Sequence, residues 1–204
     1  RLRTMEGIAR PALAAVVPRS GGHFVLIDAG ANPDATAEHL VHNAILGSHY
    51  CRVMLGIENP RVGLMTIGTE EGKGTPLITE TNDLLRRLSG VINYAGPIEG
   101  FHVFSEHVDV VVCDGFVGNV ALKSAEGVTH LMRAKLREAF QKNLFTRCAA
   151  VVAMPVLNAF RKSLDSRSYN GASLLGLRGI VLKSHGSADV YAFECALKRA
   201  VEEV

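Results

Sequence analysis

The chain has 204 residues, 48% hydrophobic and 21% charged, with 20 glycines, which is enough apolar material to bury a sizeable core. Its 22 lysines and arginines against 20 aspartates and glutamates leave a formal charge of +2, too small a surplus to demand nucleic acid as a partner. The four cysteines, Cys51, Cys113, Cys148 and Cys195, form no CxxC pair, which argues against a zinc ribbon or a redox dithiol and for reduced thiols in a cytosol.

No signal peptide opens the chain and no apolar run reaches the roughly 18 to 20 residues of a spanning helix, so a membrane crossing is not expected. The first residue is Arg1 rather than methionine and structured-looking sequence follows at once. A further segment upstream is therefore expected.

In chain order, His23 to Asp28 (HFVLID) is a β-branched and apolar run ending at the turn Ala29-Gly30-Ala31-Asn32, which predicts a strand and a loop. A helix over about Thr36 to Ser48 follows, with Leu40, Ala44 and Ile45 on one side and Gly47 near its end. Arg61 to Ile67 predicts a second strand, running into the loop Gly68-Thr69-Glu70-Glu71-Gly72-Lys73-Gly74-Thr75-Pro76 and then a helix through Leu84, Leu85 and Leu88. Val91 to Tyr94 and Val108 to Cys113 predict two more strands. The loop Asp114-Gly115-Phe116-Val117-Gly118-Asn119 then opens a long helix.

From about Thr129 to Leu164 the pattern is helical, with an apolar stretch from Cys148 to Phe160 that Pro155 interrupts, predicting two helices with a kink between them. A last strand over Gly179 to Lys183, the turn Ser184-His185-Gly186-Ser187 and a helix from about Ala188 to Glu203 complete the chain. Strands alternating with helices at this spacing predict an α/β fold, a mostly parallel sheet with helices on both faces. Ligands of such sheets bind beyond the carboxyl ends of the strands. The loops bearing Asn32, Lys73 and Asp114 all leave strand ends, and so are expected at one cleft.

Three loops carry residues suited to an anion. In GTEEGKG, Gly72 and Gly74 would let backbone N–H groups approach a phosphate while Lys73 supplies charge. The spacing is one residue short of a Walker A loop, and Gly74 stands where Ser or Thr would bind magnesium. A solvated Gly-rich loop is the competing reading. In DGFVGNVALK, Asp114 is either a helix cap or a site residue, with Gly118, Asn119 and Lys123 in the first turns of the next helix. In KSHGSAD, Ser184, His185, Gly186 and Ser187 precede a helix N-terminus, a geometry suited to a phosphate or an oxyanion, while Ser187 or Asp189 caps that helix. His39 and His42, three apart on a helix, have no matching cluster and read as a solvated face rather than a metal pair.

At these same loops the chain resembles the bacterial phosphate acyltransferase family of phospholipid synthesis, the acyl carrier protein:phosphate transacylases known as the PlsX family. The resemblance is carried by GIARPAL (7 to 13), LIDAGAN (26 to 32), YCRVMLGIENPRVGLMTIGTEEGKG (50 to 74), NYAGPIEG (93 to 100), VDVVVCDGFVGNVALK (108 to 123) and LLGLRGIVLKSHGSAD (174 to 189). It implies a fold similar to isopropylmalate dehydrogenase and phosphotransacetylase, with two α/β domains around a cleft. On that plan residues 1–30 and 170–204 belong to a first domain, and 31–169 form a second that includes an apolar helix pair at about 136–164. The family's opening DAMGGD-like segment has no counterpart here.

The resemblance further implies a long-chain acyl group passed from acyl carrier protein to inorganic phosphate, no cofactor and no metal, a homodimer, and peripheral attachment to the cytoplasmic membrane. The acyl phosphate would pass to a glycerol-3-phosphate acyltransferase. By matched motif, Lys73, Asp114, Asn119 and Lys123 are the expected catalytic residues. Asn32, Gly72, Gly74, Gly118 and Ser184 to Ser187 are the expected phosphate-binding set. Two alternatives remain at this stage: an NAD-dependent decarboxylating dehydrogenase of similar fold, and a non-catalytic relative that binds acyl carrier protein or membrane.

Overall fold

The computed structural model describes residues 2–70, 73–105, 107–163, 165, 167, 170–186 and 188–203. Gly72 and Ser187, two of the expected phosphate-binding positions, lie outside them. The described strands are β1 (Ala12–Arg19), β2 (Gly22–Ile27), β3 (Arg61–Thr66), β4 (Asn93–Glu99), β5 (Val110–Val112), β6 (Ala172–Leu175) and β7 (Leu182–Lys183). The helices are α1 (Ala37–Leu55), α2 (Pro76–Arg87), α3 (Gly115–Gln141), α4 (Leu144–Val152), α5 (Met154–Ser163) and α6 (Val190–Glu202).

All seven strands form one sheet in the order β4-β3-β5-β2-β1-β6-β7. The half from β4 to β2 is parallel, as the alternation of strands and helices predicts, whereas β2-β1, β1-β6 and β6-β7 pair antiparallel. Side chains alternate across it. Val25, Ile27, Val62, Leu64, Val110 and Val112 point to the face covered by α1 and α2, and Phe24, Leu26, Met65 and Val111 to the face that meets Ala121 and Leu122 of α3. An α/β sheet with helices on both faces is thus what the sequence builds. The sheet takes β1, β2, β6 and β7 from residues 1–30 and 170–204 and β3 to β5 from 31–169.

Several boundaries differ from expectation for local reasons. Helix α1 runs through Gly47 instead of ending there, because that glycine lies against the sheet: a Cβ on it would stand 2.8 Å from Val110 Cγ1. The helix stops at Gly56, in the left-handed region at φ 66°. Strand β4 starts later and extends further than predicted. It is the edge strand, where a proline is tolerated, and Ala95 bulges out between Tyr94 and Gly96 opposite Val62 and Gly63. The predicted strand at Gly179 to Lys183 shrinks to two residues.

Helix α3, 27 residues and so about 40 Å long, touches the sheet only with its first turns. Gly115 and Gly118 are its buried positions, while Val128, Leu131, Met132 and Leu136 form an exposed apolar stripe. Helices α4 and α5 continue from its far end, bent by 69°. Pro155, in the first turn of α5, has no N–H to continue α4, which accounts for the break. Among the described residues no single helix is long and apolar enough to cross a membrane, but this bent pair has the length and composition together.

Candidate active site

The carboxyl ends of the parallel strands β2, β3, β4 and β5 share one edge of the sheet, and the predicted loops leave from it. Their frame is a buried carboxylate. Asp28, 0% exposed, ends β2 and accepts five hydrogen bonds. Its Oδ1 takes the backbone N–H groups of Leu13 (3.1 Å), Gly30 (2.9 Å) and Ala31 (2.8 Å), and its Oδ2 takes the Asn32 backbone N–H (2.8 Å) and side-chain Nδ2 (2.9 Å). A charge so buried is retained where donors surround it.

This frame sets the place of Asn32, which the sequence assigns to phosphate. Its side-chain amide donates to Asp28 and to the Pro11 carbonyl at 2.7 Å, and its own carbonyl accepts the Gly115 N–H at 2.8 Å. Both amide hydrogens are spent on holding the loop to β1 and to α3. Gly118 plays a related part. A Cβ there would fall 1.9 Å from the Asp28 carbonyl oxygen, so glycine at this position lets α3 close onto the loop.

Asp114 caps α3, accepting the Val117 N–H at 2.8 Å. At 100° per residue, Val117 and Asn119 project from α3 about 200° apart with Gly118 between them against the sheet, and a different cavity lies on each side. On the Asn119 side is a cavity of about 670 Å³, bordered by Asn119, Lys123, Ser184, His185 and Gly186 among others. On the Val117 side is one of about 460 Å³, bordered by Gly74 and Asp114.

The larger cavity carries the cationic character. Its described border includes Lys123, Arg133, Arg167 and Lys183, with His130 and His185, against the carboxylates of Glu126 and Asp189. Lys123 Nζ lies 2.9 Å from His185 Nε2 and 3.0 Å from Glu126 Oε2. The loop at 184–186 is pinned by Asn170, whose Nδ2 donates to Ser184 Oγ at 2.8 Å and to the Ala192 carbonyl at 2.9 Å, and whose Oδ1 accepts the His185 N–H at 3.0 Å. At the same rim Asp189 caps α6 by accepting the Ala192 N–H at 2.8 Å and pairs with Arg167 at 2.9 Å. The capping bond first, and then Arg167, hold its carboxyl below the usual carboxylate range.

Five predicted residues, Asn119, Lys123, Ser184, His185 and Gly186, are thereby brought to one cavity although 67 positions separate the first from the last. Gly74 and Asp114 border the other. Lys73 borders neither: it is exposed and paired with Glu70 at 2.6 Å, a contact that raises the pKa of its ammonium. Asp28 and Asn170 were missed. The signal for each was a short polar side chain beside a glycine-containing turn, Asp28 ahead of Ala29-Gly30 and Asn170 ahead of Gly171. His39 closes a capping box with Thr36, and no group of three or more metal-type ligands occurs among the described residues.

In fold, the molecule resembles solved phosphotransacylases. A branched-chain phosphotransacylase from Enterococcus faecalis V583 superposes with a TM-score of 0.66 over 98% of this chain and 64% of that one, at 16% identity. A phosphotransacetylase from Streptococcus pyogenes gives 0.51 over 63% of this chain and 45% of that one, at 18% identity. Residues 1–204 match the fatty acid synthesis protein family, and the chain belongs to it. Among curated relatives, the phosphate acyltransferases of Alkalilimnicola ehrlichii and Bordetella petrii are 52% and 51% identical over all of this chain. The chain spans 59% and 57% of their respective lengths.

Proposed function

We propose that the chain carries the phosphate side of an acyltransferase that moves a long-chain fatty acyl group from acyl carrier protein to inorganic phosphate. The observation that carries this reading is the 670 Å³ cavity, whose described border sets four permanent cations against two carboxylates beside Asn119 and the Ser184 to Gly186 turn. Such a lining suits an oxyanion.

Phosphate is itself the nucleophile at neutral pH, so alignment and charge screening are what the residues must supply. In this reading Lys123 neutralises the phosphate, Asn119 and the 184–186 loop donate to it, and a phosphate oxygen attacks the thioester carbon. A C–O bond forms, the C–S bond breaks, and the leaving thiolate takes up, through water, the proton that the phosphate gives up. Asp114 and Asp28 act as positioning residues through the helix cap and the loop frame. Lys73, which borders neither cavity, has the weaker case for a phosphate role.

The finer assignments rest on separate features. The exposed stripe Val128, Leu131 and Met132 on α3 supports a homodimer, and the bent apolar pair α4–α5 supports peripheral contact with the cytoplasmic membrane. The product would be used by a glycerol-3-phosphate acyltransferase. Sedimentation of the protein and its flotation with anionic vesicles check the dimer and the membrane contact.

The site itself is tested by trapping acyl phosphate as a hydroxamate in reactions of palmitoyl acyl carrier protein with phosphate. Lys123→Ala and Asn119→Ala should each lower the rate on the order of a hundredfold. Losses below about threefold in both would remove these residues from the phosphate site.

A further inference from the structure

We infer that the smaller cavity, on the opposite side of α3 from the cationic one, receives the hydrocarbon tail of the acyl group and sets which chain lengths are accepted. The inference deepens the acyltransferase reading and rests on it.

The cavity measures about 460 Å³ and is bordered by Met65 and Ile67 at the end of β3, Leu77 and Ile78 on α2, Phe101 after β4, and Val117 on α3. Among the described residues its charged border is Glu99 and Asp114, both carboxylates. An anion is therefore disfavoured here, whereas the neighbouring cavity has the opposite balance. The volume lies in the range of small-ligand sites, and an apolar wall with few polar groups is what an alkyl chain requires.

The wall is open to solvent without a ligand. Phe101 and Ile67 are 86% and 82% exposed, so burying them under a chain recovers apolar area that the folded protein leaves wet. Position supplies the remaining argument. Both cavities border the first two turns of α3, Val117 facing one and Asn119 the other. A linear acyl substrate laid across this end of the helix has its tail on the apolar side and its reacting carbonyl next to the phosphate side. Thr75 caps α2 by accepting the Ile78 N–H at 3.4 Å, and Gly74, at φ +108°, lies over Ile78 and Thr66. The floor of the cavity is thus set by the start of a regular helix.

The test separates binding from turnover. Fluorescence of cis-parinaric acid reports occupation of an apolar site by an alkyl chain directly. The unmodified protein should bind it saturably. Ile78→Trp, which fills the cavity, should weaken binding at least about tenfold, and Phe101→Ala, which removes an exposed wall residue and so leaves the core intact, should weaken it about three- to fivefold. In turnover, Ile78→Trp should lower the rate with a palmitoyl thioester on the order of a hundredfold relative to a hexanoyl one, the cost of displacing three or four methylenes. Absence of saturable binding, or equal affinity in all three proteins, overturns the inference. So does an equal loss with both thioesters while the probe still binds Ile78→Trp as tightly as the parent. Loss of probe binding in both variants, with no acyl phosphate formed from either thioester, retains the alkyl site and overturns the transferase reading instead.

Discussion

Replacing Asp28 by asparagine keeps the size of the side chain and changes one acceptor oxygen into a donor. In the native loop Oδ1 faces three N–H donors and Oδ2 faces two, so whichever way the amide turns, at least two donors meet an NH₂. Hydrogen bonds to a charged group are worth about 1.5 to 3 kcal/mol each, and a buried donor left without its acceptor carries the full desolvation cost. Removing a buried charge acts in the other direction, but five converging donors make the acceptor loss the larger effect. The expected destabilisation is about 3 to 5 kcal/mol, a large share of the 5 to 15 kcal/mol typical of a folded domain. With a urea m-value near 2 kcal/mol/M, the unfolding midpoint of Asp28→Asn should fall by about 1.5 to 2.5 M. A fall below about 0.5 M, or a rise, would refute the reasoning and show that the charge is a burden on the fold and not its frame.

Two further outcomes follow from buried charged and nucleophilic groups. Burial pushes the Asp109 carboxyl upward, but hydrogen bonds from the Arg61 side chain and backbone and from Arg19 outweigh it and leave the pKa at about 2, below its ordinary 3.8. A depressed carboxylate stabilises above its unfolded pKa and loses that contribution as pH falls through the folded one. About 1 to 2 kcal/mol, discounted because Arg61 is partly exposed, should therefore disappear between about pH 4 and 2, and urea midpoints of Asp109→Asn should change less over that window than those of the parent. Among the thiols, burial raises Cys51 to about 12 and Cys113 further still, whereas Cys148 is exposed. Ellman's reagent at mildly alkaline pH should modify Cys148 in the native protein and reach Cys51 and Cys113 only on unfolding; native-rate labelling of Cys113 would contradict its place beneath α3.

Much of the parallel half of the sheet was legible in sequence because β2, β3 and β5 are buried on both faces and read as continuous apolar runs. Of the antiparallel strands, β7 was expected, within a longer run, whereas β1 and β6 were not. Strand β1, ALAAVVPR, is rich in alanine and contains Pro18, which weakens its β signal. Its best marker was the Ser20-Gly21-Gly22 turn, where Gly21 and Gly22 take φ of 72° and 151° to close the hairpin onto β2. Strand β6 is four residues long and is defined by pairing with β1, a contact across about 160 positions that no local pattern carries.

The candidate site divides in the same way. The loop motifs at 114–123 and 184–186 marked residues that do meet at one cavity. No motif could show that Asn32 spends its amide on Asp28, or that Gly118 serves a close approach of backbone to backbone, because both facts depend on how α3 lies over the end of β2. Nor could spacing reveal that α3 divides an apolar cavity from a cationic one, since the turn of the helix sends Val117 and Asn119 to opposite sides.

The most direct test of acyl transfer to phosphate installs residues 1–204 in place of the matching segment of the Alkalilimnicola ehrlichii phosphate acyltransferase, with which they are 52% identical, and follows radiolabelled phosphate. Incorporation into hydroxylamine-labile acyl phosphate from palmitoyl acyl carrier protein, lost on Lys123→Ala, is the predicted result. A folded chimera that incorporates no label, beside a parent enzyme that does, would contradict the account.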